Sequence, residues 1–262
     1  MRLKDIITQL DVLSPKKYAE EWDNVGLLVG DDEQEIRRIM IALDATDYVV
    51  EQAVRQKADL LLTHHPMIFR PLKQINNHSM TGRRVLKLAS NKIAYYAMHT
   101  NFDIKGGMAE LAAKRLGLIN YVPLDVTVVE NGIEEGIGRI GMLPNAMKIA
   151  DIATNVKEEF GLKKVILYGN KAKEVSKIAI SPGSGKSEIN NAIAKGAELL
   201  ITGDIGHHEG IDAVDQGLMI LDATHYGLEH IFIEFLSDYL LELDTDELDI
   251  ICMDTGSPIE IL

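Results

Sequence analysis

The chain has 262 residues, of which 46% are hydrophobic and 26% charged, a composition typical of a globular protein with a substantial core. Its formal net charge of −13 argues against nucleic acid as the main partner, because phosphate groups are bound by a basic face. No apolar run approaches the roughly 20 residues that cross a bilayer, and the first residues lack the apolar segment of a secretory signal. We therefore expect a cytoplasmic protein without membrane association.

The first elements in chain order are a helix and a loop. Residues 1–15, MRLKDIITQLDVLSP, predict an amphipathic helix. Residues 20–30, EEWDNVGLLVG, contain the single tryptophan, Trp22, and predict a polar loop that enters a strand. This loop is either purely structural or brings its acidic groups toward a metal site.

An internal repeat relates the two halves of the sequence. Residues 36–64 align without a gap to residues 175–203 at a shift of 139 positions, so that Ile39 matches Ile178 and Leu60 matches Leu199. Each copy predicts a short strand, a helix and a second apolar strand, and the apolar runs indicate strands buried on both faces of a parallel sheet. Chance similarity of two such units is the alternative.

The repeat predicts the fold class and the domain division. We expect an α/β protein of two similar, intertwined halves, with mixed, largely parallel sheets covered by helices. The halves are predicted at about residues 1–125 and 126–262, with terminal strands open to exchange between them. Residues 121–146 predict short strands and turns that join the halves, and residues 147–160 predict a helix.

A single cysteine, Cys252, excludes an internal disulfide and a thiolate-rich metal site. It lies in the apolar run LDIICMD, which predicts a strand with a buried thiol.

Metal-binding residue types follow three of the predicted strands. The strand ADLLLT runs into His64 and His65, KIAYYAM leads to Asp103, and LMILDAT runs into His225, with Glu229 four residues later. Each taken alone has an ordinary explanation, namely surface polarity, a helix cap or a solvated helix face. Because ligands of open α/β sheets bind at the carboxyl ends of the strands, their shared position favours a metal site.

The donor set indicates the chemistry of this predicted site. Three imidazoles and two carboxylates suit two borderline divalent ions such as zinc, manganese, iron, cobalt or nickel. Two ions about 3.5–4 Å apart, bridged by Asp103 or Glu229 and by hydroxide, fit five ligands and would activate water. His99 and Asp204 are then candidate catalytic residues, either orienting the ligands or transferring protons.

Two further features leave alternatives open. Residues 181–187, SPGSGKS, follow a strand, but Ile180 stands where the P-loop pattern requires glycine. The turn is therefore either a backbone anion site for a substrate phosphate or a plain tight turn. His207 and His208 either line the metal cavity or lie on the surface.

The sequence resembles the GTP cyclohydrolase I type 2 homologue family, also called the Ngg-interacting-factor-three-like proteins. The motifs that carry the resemblance are EEWDNVGLLVG (20–30), LLTHHPMIF (61–69), MHTNFD (98–103), TGDIGHHE (202–209) and DATHYGLE (222–229). The resemblance implies two intertwined α/β halves, a toroidal homohexamer and dinuclear metal sites that face an internal cavity. It places the metal ligands on His64, His65, Asp103, His225 and Glu229.

The family name implies hydrolytic opening of the guanine imidazole ring of GTP, with release of formate. One functional hypothesis is therefore a metal-dependent hydrolase that acts on a nucleotide or a related small molecule. The other is a metal carrier or regulatory scaffold in which the ions are cargo or structural.

Overall fold

The computed structural model describes residues 1–243 and 248–260. Its α-helices are α1 (Leu3–Leu13), α2 (Asp47–Arg55), α3 (Met80–Ser90), α4 (Thr100–Ile104), α5 (Met108–Arg115), α6 (Ile149–Glu159), α7 (Ile189–Ala194), α8 (His207–Asp215), α9 (His225–Glu229) and α10 (Ile231–Glu242). Its strands are β1 (Gly26–Val29), β2 (Arg38–Ala42), β3 (Leu60–Thr63), β4 (Ala94–Ala97), β5 (Ile119–Glu130), β6 (Ile133–Lys148), β7 (Ile166–Tyr168), β8 (Glu174–Ser184), β9 (Leu199–Gly203), β10 (Met219–Asp222) and β11 (Asp249–Cys252). Across these described ranges, no helix is both long and apolar enough to span a bilayer.

The first of two compact units comprises Met1–Lys105 and Phe232–Thr255. Its five-stranded sheet has the order β1-β4-β3-β2-β11, in which β1 is antiparallel to β4 and the other neighbours are parallel. Every residue of β3 and β4 is buried, as expected for strands covered on both faces. One core cluster of this unit joins the sheet to α2 and α3 through Met40, Val49, Leu61, Leu88 and Tyr95.

The second unit comprises Gly106–Ile231 and the C-terminal segment that begins at Gly256. Its six-stranded sheet has the order β5-β6-β8-β9-β10-β7. The central strands β8, β9 and β10 are parallel, whereas β5, β6 and β7 are antiparallel to their neighbours. The predicted α/β class, with mixed sheets and flanking helices, is confirmed. The predicted division at 125/126 falls inside β5 and stays a prediction.

The internal repeat is confirmed at the level of strand register. Ile39 pairs with Leu60 in the first unit, and Ile178 pairs with Leu199 in the second, so the parallel pairings share the shift of 139 found in the sequence. The two units therefore contain the same strand–helix–strand element, built twice with the same alignment of strands.

A carboxylate supports the start of the first strand in each copy of the repeat. Asp59 Oδ2 accepts hydrogen bonds from the backbone N–H groups of Arg37 and Arg38, each at 2.9 Å. At the equivalent position, Glu198 Oε2 accepts from the N–H groups of Ser176 and Lys177 at 2.8 and 3.0 Å. The longer Glu side chain thus performs the same task as Asp at this position.

The prediction of short strands over residues 121–146 is wrong. This region forms the two long strands β5 and β6, of 12 and 16 residues, paired as an antiparallel hairpin. Asn131 and Gly132 connect them with φ angles of 53° and 80°, and an Asn-Gly turn with two positive φ angles matches the twist of hairpin strands. The glycines inside the strands, read as turns, pack against the neighbouring strand instead: a Cβ at Gly136 would collide with the backbone of Asp125.

The predicted burial of the Cys252 thiol is also wrong, although the residue does lie in a strand. Cys252 ends β11, which is an edge strand of the first sheet, and its side chain is exposed. An edge strand is covered less completely than a central one, so an apolar run is compatible with an exposed thiol there. The predicted N-terminal helix and the helix after residue 147 are confirmed as α1 and α6.

Candidate metal centre

In the first unit, His64 directly follows the buried strand β3 and is itself fully buried. Its Nδ1 lies 2.7 Å from the carbonyl oxygen of Met98, the residue that follows β4. Because a carbonyl oxygen only accepts, Nδ1 carries the proton, and the lone pair of the neutral ring is on Nε2. The ring packs against Phe232 at a centroid distance of 5.3 Å, so its orientation is fixed by both packing and hydrogen bonding.

His65 is held by a different set of contacts. Its Nδ1 lies 2.9 Å from Oδ1 of Asp44, which stands just beyond the end of β2. The carbonyl oxygen of His65 accepts from Thr63 Oγ1 at 2.9 Å and from the Tyr95 hydroxyl at 3.0 Å. The Tyr95 hydroxyl also accepts from the Met67 N–H at 2.7 Å. One buried phenol therefore fixes the turn that carries both adjacent histidines.

His99 follows β4 and is oriented by Asp23. Its Nδ1 lies 2.9 Å from Asp23 Oδ1, while Oδ2 accepts from the N–H and hydroxyl of Thr100 at 3.0 and 2.6 Å. Burial would raise the pKa of Asp23, but the hydrogen bond and charge of His99, together with the bonds from Thr100, lower it to about 2. Asp23 is thus a carboxylate that holds the His99 ring through Nδ1.

The first-unit groups lie at distances that suit a shared ion. A ring nitrogen of each of His64, His65 and His99 lies within 4.8 Å of the others. His64 Nε2 is 3.6 Å from Oδ1 of Asp103 on α4. Two ligands held about 2.1 Å from a tetrahedral ion are about 3.4 Å apart, so this spacing fits coordination better than a direct hydrogen bond.

In the second unit, His225 and Glu229 form a second pair on α9. His225 Nε2 lies 3.0 Å from Glu229 Oε2, as the i, i+4 spacing predicts for one helix face. His225 Nδ1 lies 2.7 Å from Oδ2 of Asp204, which follows β9. The Glu229 side chain is only 4% exposed, and a buried carboxylate is stable only beside positive charge or hydrogen-bond donors.

Two residues beside this pair have a strained backbone conformation. Thr224, the N-cap of α9, has φ +67°, and Asp204 has φ +59°; such values are rare, above all for a β-branched residue. Thr224 Oγ1 accepts from the Gly227 N–H at 3.1 Å, and Asp222 accepts from the N–H groups of Thr224 and Ile205. These bonds hold the strained residues in place, as is common at functional sites.

Glycines leave room for the second-unit pair. Gly183 has φ +76°, and a Cβ there would collide with Glu229 Oε1. A Cβ at Gly203, the last residue of β9, would collide with the backbone N of His225. The glycine-rich sequence that resembles a P-loop therefore has a structural role beside Glu229. His207 and His208, at the start of α8, are both exposed.

The donor set fits divalent metal ions. The Nδ1 atoms of His64, His65 and His225 each face a carbonyl or carboxylate oxygen, which leaves Nε2 with the coordinating lone pair. Metal-ligating histidines almost always donate their other N–H in this way, because the hydrogen bond fixes the tautomer and the ring plane. Imidazole and carboxylate donors together suit borderline ions such as zinc, manganese or iron.

A sequence profile described as Duf34/NIF3 (NGG1p interacting factor 3) matches residues 1–258 of the chain. The chain belongs to the DUF34/NIF3 family. It is similar to the "GTP cyclohydrolase 1 type 2 homolog" of Clostridium perfringens, with 36% identity over 100% of both chains. The homologue of the same name from Methanocaldococcus jannaschii is 32% identical over 97% of this chain and 100% of its own.

Two solved structures share the fold of this chain. A Bacillus cereus protein related to NIF3 aligns with a TM-score of 0.92 and 25% identity, covering 100% of this chain and 99% of that one. Reduced HcgD from Methanocaldococcus jannaschii aligns with a TM-score of 0.82 and 31% identity, covering 96% of this chain and 97% of that one.

Sequence reasoning missed or left open the partners of the histidines in this DUF34/NIF3 protein. Asp44 was missed, although it stands at the end of β2, where the strand-end rule that identified His64 would have found it. Asp23 is 76 residues from His99 in the sequence. The sequence of its loop indicates only that acidic groups there could approach the metal site, not that Asp23 contacts His99. Asp204 was expected to orient a ligand or transfer a proton, and its contact with His225 is compatible with the first role.

Proposed function

We propose that this DUF34/NIF3 protein binds two divalent metal ions through His64, His65, Asp103, His225 and Glu229, and hydrolyses a nucleotide-like substrate. The observation that carries the proposal is the orientation of the imidazoles. His64, His65 and His225 each direct Nδ1 toward an oxygen that accepts its proton. This arrangement prepares three Nε2 atoms for coordination without further rotation of the rings.

Each unit contains one imidazole–carboxylate pair that we propose as metal ligands. His64 with Asp103 and His225 with Glu229 have ligand-atom separations of 3.6 and 3.0 Å, and both values suit neighbouring positions around one ion. We propose that each pair takes part in metal binding within its own unit, with His65 as a further imidazole of the first unit. Divalent ions held by these residues would lower the pKa of bound water toward neutrality and so would supply a nucleophile.

We assign proton transfer to His99 and ligand orientation to Asp204. His99 has Nδ1 held by Asp23, so that Nε2 is the atom that exchanges a proton with a reacting group. The Asp23 carboxylate keeps the ring in position for this exchange. Asp204 holds the His225 ring through Nδ1 and therefore acts on the reaction through that ligand.

GTP is the first substrate to test, because the relatives are named GTP cyclohydrolase 1 type 2 homologs. In the candidate reaction, water adds to the carbon between the two nitrogens of the guanine imidazole ring. Hydrolysis of both C–N bonds of that carbon consumes two waters and releases it as formate. The ring nitrogens take up the protons as the bonds break.

We further propose that the protein assembles as a homo-oligomer, with the toroidal hexamer implied by the family resemblance as the specific form. Exposed apolar side chains on the β5–β6 hairpin support an interface there; they include Val122, Val129 and Ile133. Six copies of the 29.0 kDa chain have a mass of about 174 kDa, which light scattering distinguishes from smaller assemblies.

The central experiment combines elemental analysis with a product assay. We expect about two divalent ions per chain and steady formate release from GTP by protein reloaded with the ion found. His64→Ala and Glu229→Ala should lose both metal and turnover, whereas His78→Ala, an exposed histidine outside the site, should retain both. Two bound ions without hydrolysis of GTP or of a nucleotide panel would favour the carrier or scaffold function instead.

A further inference from the structure

Two large aromatic side chains of the first unit lie exposed beside each other. Trp22 is 57% and Phe69 45% exposed, and their ring centroids are 5.7 Å apart at an interplanar angle of 51°. The rings thus form an open, tilted pair. Burial of large aromatic side chains is energetically favourable, so an exposed pair of this kind often marks a binding surface.

The backbone on both sides of the pair is fixed by polar contacts. Asn24 Nδ2 donates to the carbonyl oxygen of Ile68 at 2.5 Å, which joins the loop of Trp22 to the loop of Phe69. Asp23 is anchored by His99 and Thr100 through hydrogen bonds of 2.6 to 3.0 Å. The aromatic pair is therefore presented from an ordered framework, and little conformational entropy is lost when a ligand binds.

The pair adjoins His99 and, through it, the imidazole cluster. The His99 ring meets Trp22 edge-on at a centroid distance of 6.1 Å and Phe69 at 6.5 Å. His99 in turn lies 5.2 Å from His64 and 5.5 Å from His65. A planar ring placed against the aromatic pair would stand beside the histidine to which we assign proton transfer.

We propose that Trp22 and Phe69 form a stacking site for the planar heteroaromatic ring of the substrate. This inference rests on the proposed function, because it places the ring of the hydrolysed molecule next to His99. Stacking suits a heteroaromatic ring of any base, since every base has a π-face. The neighbouring acidic residues Glu20 and Glu21 disfavour phosphate at this position, so the site selects the ring rather than the phosphate groups.

Trp22 is the only tryptophan of the chain, so its fluorescence reports directly on this site. The full-length protein, both metal-loaded and chelator-treated, is titrated with guanosine, adenosine and uridine, with ribose 5-phosphate as the probe that lacks an aromatic ring. We expect saturable quenching by at least one nucleoside and none by ribose 5-phosphate. Free N-acetyltryptophanamide corrects for absorption by the ligands.

Substitutions separate stacking from other effects. Phe69→Leu should weaken nucleoside binding about tenfold, and Phe69→Tyr should restore it, because only the latter keeps a π-face. Tyr48→Leu is the control, since Tyr48 is 59% exposed on α2 and has no place in the site. Light scattering of each variant tests whether the pair instead joins two copies of the chain; a loss of oligomer mass in Phe69→Leu would overturn the ligand site.

The outcomes distinguish this inference from the proposed function. If nucleosides quench Trp22 saturably and this depends on Phe69, but the protein hydrolyses no substrate, the stacking site is supported and the hydrolase function is contradicted. If the protein releases formate and Phe69→Leu leaves the KM unchanged, the stacking site is contradicted and the hydrolase function is supported. If none of the three nucleosides quenches Trp22 saturably, the stacking site is contradicted as well.

Discussion

His64 donates its Nδ1 proton to the carbonyl oxygen of Met98 across 2.7 Å, and the two residues follow the neighbouring parallel strands β3 and β4. The Met98 N–H also donates to the Thr63 carbonyl at 2.9 Å, so the strand pairing continues to the edge of the candidate site. The orientation of a proposed metal ligand is therefore set by the register of two buried strands. A change that disturbs this register is expected to weaken metal binding without touching a ligand.

Asp204→Asn tests the support of His225. Asparagine tolerates the positive φ of this position, but it lacks the charged oxygen that holds the imidazole. Loss of such a partner typically reduces metal affinity about 10–100-fold. Competition with a chromogenic chelator measures the change. Asp212→Asn on α8, which is exposed, should bind metal like the parent protein, and equal affinities in both variants would contradict the role of Asp204.

Gly183→Ala tests the space beside Glu229. Alanine at a positive φ costs about 1–2 kcal/mol, and its Cβ would also collide with Glu229 Oε1. Gly117→Ala is a matched control, because Gly117 has φ +65° and nothing within 4 Å of an added Cβ. Urea unfolding should show a similar backbone cost in both variants and a further loss in Gly183→Ala. Only Gly183→Ala should also lose metal; retention of full metal content would show that Glu229 tolerates displacement.

Tyr95→Phe tests the turn that carries His64 and His65. Burial raises the pKa of Tyr95 to about 12 despite its hydrogen bond with Thr63, so the hydroxyl remains a neutral donor at working pH. Its removal leaves the Met67 N–H without this acceptor and should cost about 1–3 kcal/mol in the free energy of unfolding. Tyr48→Phe, at an exposed position, should change stability by less than about 0.5 kcal/mol. Equal stabilities of the two variants would refute the importance of this network.

Glu198→Ala tests the carboxylate that supports the second copy of the repeat. The backbone N–H of Ser176, followed by that of Lys177, lowers the pKa of Glu198 below its ordinary 4.5. The resulting stability is fully present above pH 4.5 and is lost as pH falls through the lower folded-state pKa. Glu198→Ala should therefore lose about 1–3 kcal/mol at pH 7.

The same variant should lose less stability than the parent protein when the pH falls from 7 to 3. Unfolding in urea at several pH values measures this difference. Glu174→Ala is the control because Glu174 is exposed at the start of β8. Parallel stability–pH curves for parent and Glu198→Ala would exclude the proposed linkage.

The sequence by itself determined the strand–helix–strand repeat and the strand ends that carry the candidate ligands. Both follow from local signals, since the apolar runs of β2, β3, β8 and β9 specify strands buried on both faces wherever they lie. The aligned pairs Ile39–Leu60 and Ile178–Leu199 show that the shift of 139 in the sequence also relates the strand registers of the two copies. The Asn131-Gly132 turn is an equally local signal of a hairpin, whereas the glycines within β6 resemble strand breaks in the sequence.

Only the tertiary structure decided which group orients each histidine and which apolar residues stay exposed. Asp23 meets His99 across 76 residues, and Asp44 and Asp204 each meet a histidine across 21. Cys252 is exposed because β11 lies at the edge of its sheet, and Trp22 is exposed because Asp23 and Asn24 fix the loop around it. Hydrophobic periodicity is a property of one segment of the chain. A hydrogen bond between distant loops depends instead on where the sheet places the ends of its strands. The residue pattern within either loop therefore does not predict that the two loops meet.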